Sequence, residues 1–119
     1  MASKRDKIKD EDRFTIMQPE LNGRCFICGS DDRVAKHEVF FGTANRSKSK
    51  EDGLIVELCW NHHNGSNSGV HYNHDLDLRL KKRAEKIWIM HYANASSKIE
   101  GVSKFIKRYG KNYLDDEDL

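Results

Sequence analysis

Apolar positions in the second half of the chain follow the spacing of an amphipathic helix. Residues that can face a core recur every three or four positions, at Leu76, Leu80, Ala84, Ile87 and His91. A stripe of this kind lets a helix bury one face and leave its charged residues in water. The pattern predicts a helix over residues 75–94.

A second helix is predicted from Ser97 to Tyr109. Ser97 and Glu100 have the spacing of a capping box, in which each residue's side chain bonds to the backbone of the other. Gly110 follows the last turn and is the residue type that most often ends a helix.

Two short strands are predicted before these helices. Residues 33–41 and the segment LIVEL at 54–58 are rich in β-branched and apolar residues, and an Asp-Gly turn leads into the second strand. The stretch FGTANRSKSKED between them is small and basic, which predicts a long loop. A short helix should follow at residues 59–64.

The composition limits how this chain can be stabilised. Its 119 residues suit one domain, but 37% are hydrophobic and 34% are charged, which is less apolar material than most domains use. We expect a flexible charged arm at residues 1–20, a single domain at 21–110 and an acidic tail at 111–119. Something other than burial must then contribute to stability.

Charge and hydropathy limit the cellular compartment and the binding partners that can be expected. Residues 1–114 carry a net charge of +6, from 21 basic and 15 acidic residues, which suits a nucleic acid but equally an ordinary solvated surface. No apolar run approaches the roughly 20 residues that cross a bilayer, and no secretory signal is expected. Three cysteines in such a chain favour a reducing cytoplasm over a disulfide framework.

Four residues have the spacing of a structural zinc site. Cys25 and Cys28 form one pair and Cys59 and His62 another, each with two residues between its members. A tight turn and a helix start can therefore each present two ligands to one tetrahedral ion. The alternatives are buried cysteines without metal, a redox pair at the first two cysteines, or His63 in place of His62 as the fourth ligand.

Five histidines remain once zinc has taken one. His63 directly follows a predicted zinc ligand at a helix start, and His37 lies on the first predicted strand. The end of that strand and the first turn of the helix would face each other in a hairpin capped by a helix. His74 and His91 are expected to be surface or helix-packing residues. Trp60 and Trp88 are expected to be core aromatics.

The order of these motifs resembles a known family. The segments CFICG, KHEVFFG with a following ANR, GLIVELCWNHHNG and GVH are together similar to the HNH endonucleases, and more narrowly to small phage-encoded HNH proteins. The resemblance covers about residues 24–92 and extends weakly to RYGKNYL at 108–114. It implies an α+β fold with a zinc-stapled ββα-metal core, made of a β-hairpin and a short helix, and two C-terminal helices.

The resemblance also implies a reaction. HNH enzymes hydrolyse phosphodiester bonds in DNA with one divalent cation, Mg²⁺ or Mn²⁺, and a histidine that activates water. On this basis His37 is the general base and His63 a ligand of the catalytic cation. Glu38 would complete the metal site or orient a ring, and His71 would add a ligand or contact phosphate. Alternatively, His37 binds the cation and Glu38 is the base.

Two departures from the family pattern leave a second function open. Lys36 precedes His37 where HNH strands commonly carry Asp or His, and the middle asparagine is best matched by Asn45, which could equally be a turn residue. The alternative function is an inactive HNH scaffold that binds DNA or a phage or host protein. A zinc-finger transcription regulator fits less well, because the predicted long helix lacks a polar, base-reading face.

DNA is the expected partner, in the bacterial host cytoplasm if the protein is phage-encoded. Without a recognition helix or a repeated reader module, cleavage should be non-specific or structure-selective. Contacts with DNA phosphates are expected from the loop residues Arg46, Lys48 and Lys50 and from Lys104, Lys107, Arg108 and Lys111 near the last helix.

Overall fold

The computed structural model describes residues 14–118 and has an α+β fold. The predicted α+β class is therefore confirmed. Residues 1–13 of the predicted flexible arm lie outside the described residues. The chain divides into two compact units, Met1–Cys59 and Trp60–Leu119. No helix within residues 14–118 combines the length and the apolar character needed to cross a membrane.

Two strands and four α-helices make up the described part of the fold. A π-helical turn, Ile89–Ala93, continues the third helix, and a short 3-10 turn lies at Asp116–Asp118. In chain order the elements are β1 (Ala35–Glu38), α1 (Arg46–Asp52), β2 (Ile55–Leu58), α2 (Trp60–Asn64), α3 (His74–Trp88) and α4 (Lys98–Tyr109).

The sheet of the first unit is an antiparallel pair of β1 and β2. His37 lies opposite Val56 in the register. β1 is shorter than the predicted 33–41, since Arg33 has a left-handed backbone with a φ of 46°. At the other end, the hydroxyl of Ser49 accepts a hydrogen bond from the Phe40 N–H (3.0 Å) and donates one to the Phe40 carbonyl (2.9 Å). These backbone groups therefore bond to a side chain instead of a neighbouring strand.

The segment between the strands is a helix, so the predicted long loop is wrong. Residues 46–52 form α1, which buries Ser49 completely. The helix ends at Gly53, whose φ of 77° is readily adopted only by glycine. Serine, lysine and glutamate tolerate a helix well enough once packing favours it. The helix has no apolar stripe to reveal it, because its buried side consists of a serine and an aspartate.

Residues 15–18, which precede the first cysteine pair, lie along β2. The Thr15 hydroxyl donates to the Ile55 carbonyl (2.6 Å) and the Ile16 N–H to the Gly53 carbonyl (2.8 Å). Gln18 accepts from the backbone N–H of the third residue of β2 (2.8 Å). The described part of the predicted arm is thus hydrogen-bonded along β2, within the first unit.

The helices of the second unit follow the sequence prediction closely. α3 and the π-turn together cover nearly the predicted 75–94. α4 begins after Ser97, whose side chain accepts from the Glu100 N–H (3.1 Å), and it ends at Gly110. The Glu100 carboxylate bonds to Ser96 (3.0 Å to its N–H) and not back to Ser97, so the cap is a shifted form of the predicted box.

The two tryptophans occupy different environments. Trp88 is buried, as predicted, and meets Phe105 and Tyr109 edge-on with ring centroids 5.5 Å and 6.4 Å away. Trp60 is 42% exposed, so its prediction as a core aromatic is wrong. It is the first residue of a five-residue helix in which no residue is buried.

Residues after α4 pack against α3. Leu114 is buried, and the Lys82 ammonium lies 3.0 Å from a carboxylate oxygen of Asp118 and 3.5 Å from one of Asp115. These contacts involve the predicted acidic tail as far as residue 118.

Glu85 is a carboxyl group buried in the second unit. Its side chain is fully enclosed, one oxygen accepts a hydrogen bond from the Tyr113 N–H (2.7 Å), and the other has no hydrogen-bond partner among the described residues. Burial raises the pKa of Glu85 to about 7, against the lowering effect of the Tyr113 hydrogen bond, and the negative charge of Asp118 adds to the rise. The carboxyl is consequently protonated in the folded protein at mildly acidic pH.

The free energy of unfolding is expected to decrease as the pH rises from 5 to 7, and Glu85→Gln should remove part of that decrease. In the unfolded chain the carboxyl titrates near its ordinary pKa of 4.5. Between that pH and about 7, the folded state keeps a proton that the unfolded state has lost. The free energy of unfolding therefore decreases by up to about 1.4 kcal/mol for each pH unit. Above pH 7 both states are ionised and the difference is constant. Urea unfolding from pH 5 to 8 measures the slope, with exposed Glu117→Gln as control, and equal slopes for wild type and Glu85→Gln would contradict the prediction.

Candidate metal centres

The first pair of cysteines lies on a tight turn beside β2. The Gly29 N–H donates to the Cys25 carbonyl (2.8 Å), and the Cys25 N–H donates to the Ser30 carbonyl (2.8 Å). The Phe26 N–H bonds to the Glu57 carbonyl (2.7 Å), near the end of the strand. The turn is therefore held next to the point where the chain leaves the sheet.

The second pair lies where β2 passes into α2. Cys59 follows the strand directly and is buried, and His62 is three residues further on, in the helix. Cys25, Cys28, Cys59 and His62 each offer one ligand atom, and the four atoms lie within 4.8 Å of one another. We call these four residues the Cys/His group, and they could bind a metal ion such as zinc.

The sulfur spacing in the Cys/His group fits a tetrahedral metal. The sulfurs of Cys28 and Cys59 are 3.8 Å apart, and zinc with bonds of about 2.3 Å to sulfur would place two ligands about 3.8 Å apart. A disulfide needs about 2.05 Å, and all three cysteines are reduced. Thiolate and imidazole together are the donor set that zinc prefers.

The neighbouring thiols affect the pKa of Cys28. The backbone N–H of Ser30 lowers the pKa of this thiol, but desolvation and the neighbouring Cys25 and Cys59 thiols together raise it above its ordinary value. Three thiolates so close together repel one another, and a divalent cation offsets that repulsion because coordinated thiols lose their protons. The residues present thus fit a structural metal ion.

A second group that could hold a metal contains only histidines. His37, His63 and His71 each offer one ring nitrogen, and these nitrogens lie within 4.8 Å of one another. We call them the histidine group. The Nε2 atoms of His63 and His71 are 3.2 Å apart, close to the separation of two imidazoles on one ion with bonds of about 2.1 Å. The same distance also fits a direct hydrogen bond between the two rings.

Neighbouring histidines in α2 belong to different groups. His62 belongs to the Cys/His group and His63 to the histidine group, because successive helical residues point about 100° apart. The following loop folds back on the helix, with the Val70 N–H bonded to the His62 carbonyl (2.6 Å). Gly65 makes this fold possible, since a Cβ there would lie 2.4 Å from a backbone oxygen. The loop thereby brings His71 beside His63.

His37 and Glu38 point to opposite sides of β1. Strand side chains alternate, and His37 is buried while Lys36 and Glu38 are partly exposed. The Glu38 carboxylate lies 3.7 Å from the Arg46 guanidinium, on α1. Glu38 therefore takes part in an ion pair, and it belongs to neither metal group identified among the described residues.

The three residues predicted to contact DNA from the loop between the strands lie on a helix instead. Asn45 is the N-cap residue of α1, although its side chain makes no capping hydrogen bond, and it belongs to neither metal group. Arg46, Lys48 and Lys50 all lie on α1. Because residues four apart share a helix face, Arg46 and Lys50 lie on one side and Lys48 on another.

All seven members of the two groups were identified from the sequence. The exposed positions of His74 and His91 also agree with their predicted surface location. What the sequence missed is Tyr72, an aromatic residue that directly follows His71 and is 69% exposed. Its position next to the GVH segment was the only available sign.

Comparisons with family models, with curated proteins and with solved structures gave no match. The two metal groups and their chemistry are therefore the features that bear on function.

Proposed function

We propose that this chain is a divalent-cation-dependent DNA endonuclease of the HNH type. The observation that carries the proposal is the histidine group, which is separate from the four residues suited to zinc. A structural zinc site is complete with its four protein ligands. The second cluster of three imidazoles is therefore not required for stability. Clusters of titratable side chains of this kind are typical of reactive centres.

The order of elements around the group supports an HNH core. β1 and β2 form an antiparallel hairpin and α2 follows directly, so that a strand histidine and a helix histidine belong to the same group. In this proposal the Cys/His group holds structural Zn²⁺. It fixes the start of α2, from which His63 projects.

The three histidines take two roles in the proposed reaction, cation ligand and general base. His63 and His71 hold the catalytic cation, Mg²⁺ or Mn²⁺, through their ring nitrogens. When bound, that cation neutralises charge on the scissile phosphate and on the leaving oxygen. His37 takes a proton from the attacking water, the step that an imidazole base performs near neutral pH. Its burial on β1 keeps the ring in one orientation.

A second assignment makes His37 a third ligand and Glu38 the base. Two observations favour His37 as the base. Glu38 is already paired with Arg46 at 3.7 Å, and alternation along the strand directs its side chain away from the face that His37 occupies.

α1 is the proposed contact with the DNA backbone. Arg46, Lys48 and Lys50 carry positive charge on this helix, and phosphate contacts of this type give affinity without sequence preference. No described element has the character of a base-reading helix. The proposed activity is therefore non-specific or selective for DNA structure.

Nicking of supercoiled plasmid tests the proposal. The wild-type protein is expected to nick plasmid only when Mg²⁺ or Mn²⁺ is added, and His63→Ala should lose the activity because the cation loses a ligand. His91→Ala is the matched control, since His91 is an exposed histidine outside both groups. Both variants should retain one zinc ion per chain, measured by release to a chromogenic chelator.

Two results would count against the nuclease. Nicking that persists in His63→Ala would point to a contaminating enzyme. If zinc-loaded wild type shows no nicking with either cation, the chain is better described as an inactive HNH scaffold that binds DNA or a protein.

A further inference from the structure

Two large aromatic residues close to His63 and His71 in the sequence have exposed side chains. Trp60 is 42% exposed and Tyr72 is 69% exposed. Trp60 lies one turn before His63 on α2, at a spacing that makes the two residues neighbours on the helix surface, and Tyr72 directly follows His71. Two exposed rings on residues adjoining the histidine group offer apolar area that a ligand can cover.

The backbone that carries Tyr72 is well fixed. Its N–H donates to the Gly69 carbonyl (2.9 Å), as does the N–H of Asn73 (2.8 Å). Gly69 itself packs on the chain before it, where a Cβ would lie 2.5 Å from the Gly65 nitrogen. Asn73 then caps α3 through its side chain, which accepts from Leu76 (3.0 Å). A ring on such an ordered segment loses little conformational entropy when it binds.

Flat rings next to a phosphate-directed centre match the chemistry of a nucleotide. An aromatic side chain stacks on the face of any base, whereas paired bases inside a duplex are already covered by their neighbours. We propose that Trp60 and Tyr72 stack unpaired bases, so that the substrate of the histidine group is single-stranded or locally unpaired DNA. This inference rests on the proposed function, because it names the substrate of that same site.

Binding of a labelled oligonucleotide tests this preference without catalysis. The probes are single-stranded dT15 and its duplex with dA15, added to zinc-loaded protein with no Mg²⁺ or Mn²⁺. Wild type should bind dT15 more tightly than the duplex, and Trp60→Ala and Tyr72→Ala should each weaken dT15 binding about tenfold. Trp60→Phe and Tyr72→Phe keep a ring and should restore most of the affinity. Zinc content confirms that each variant is folded.

Tryptophan fluorescence supplies an independent reading of stacking. A base stacked on Trp60 should quench its emission, while Trp88 is buried and should be unaffected. Addition of dT15 is therefore expected to quench wild type and to leave Trp60→Phe, which retains only Trp88, unchanged.

The outcomes separate this inference from the proposed function. Quenching and tight dT15 binding without plasmid nicking would support the stacking surface and contradict the nuclease. Nicking with equal affinity for dT15 and duplex, and no effect of the alanine variants, would overturn the stacking surface alone. If neither probe binds, the stacking inference is wrong and the exposed rings are better explained as a docking surface for protein.

Discussion

Cys28→Ser is expected to abolish zinc binding and to unfold much of the chain. A structural zinc ion contributes on the order of 10 kcal/mol to the folding of small domains, and a domain of this size is stable by only about 5–15 kcal/mol. Serine keeps the volume of the side chain but is a poor zinc ligand. The expected loss is therefore comparable to the whole free energy of unfolding.

The weakness of the remaining contacts explains why the effect should be so large. The described sheet has only two strands of four residues each, and an isolated hairpin is marginal in water. The turn at Cys25 is joined to β2 by the hydrogen bond from Phe26 to Glu57 (2.7 Å). Without a metal ion, crowding of the three sulfurs would oppose that arrangement.

Circular dichroism and zinc content provide the measurement. Wild type treated with EDTA should show the same loss of helical signal and of thermal transition as Cys28→Ser, and zinc added back should reverse it for wild type only. Cys28→His is the matched control, because it replaces one zinc ligand with another and should retain zinc at reduced affinity. Identical spectra and melting curves for zinc-loaded and EDTA-treated wild type would contradict a structural role for the metal.

Features with a local cause could be predicted from the sequence. The cysteine and histidine pairs each lie within four residues, so spacing alone indicated which side chains could share an ion. α3 and α4 were predicted because an apolar stripe and capping residues specify a helix without reference to the rest of the fold. The assignment of His62 and His63 to different groups needed the structure, since adjacent residues leave that choice open.

Features that depend on distant contacts were missed. α1 lacks an apolar stripe, because its buried residues are Ser49 and Asp52, and Ser49 is held by hydrogen bonds to Phe40. The exposure of Trp60 follows from its place on a short helix with no buried residues. The ion pair of Glu38 with Arg46 depends on α1 and could not be foreseen while that segment was predicted as a loop.

His37→Ala is expected to slow plasmid nicking by roughly 10²- to 10⁴-fold, the range that general-base catalysis contributes. Zinc content should remain at one ion per chain, because His37 lies outside the Cys/His group. The ring is buried on β1, so alanine also leaves a cavity. His37→Asn, which fills more of the space but cannot act as a base near pH 7, separates lost packing from lost catalysis. Both variants should show the same defect if the imidazole accepts a proton.

The dependence on Mn²⁺ distinguishes the two roles open to His37. If it is the base, nicking stays slow at every Mn²⁺ concentration, the concentration for half-maximal activity is unchanged, and free imidazole restores part of the rate. If it is a ligand, the Mn²⁺ requirement rises and excess cation restores activity. His71→Ala should behave in this second way, because His71 is proposed to hold the cation. A rate for His37→Ala within tenfold of wild type, together with an unchanged Mn²⁺ requirement, would remove the imidazole from both roles and leave Glu38 as the base to examine.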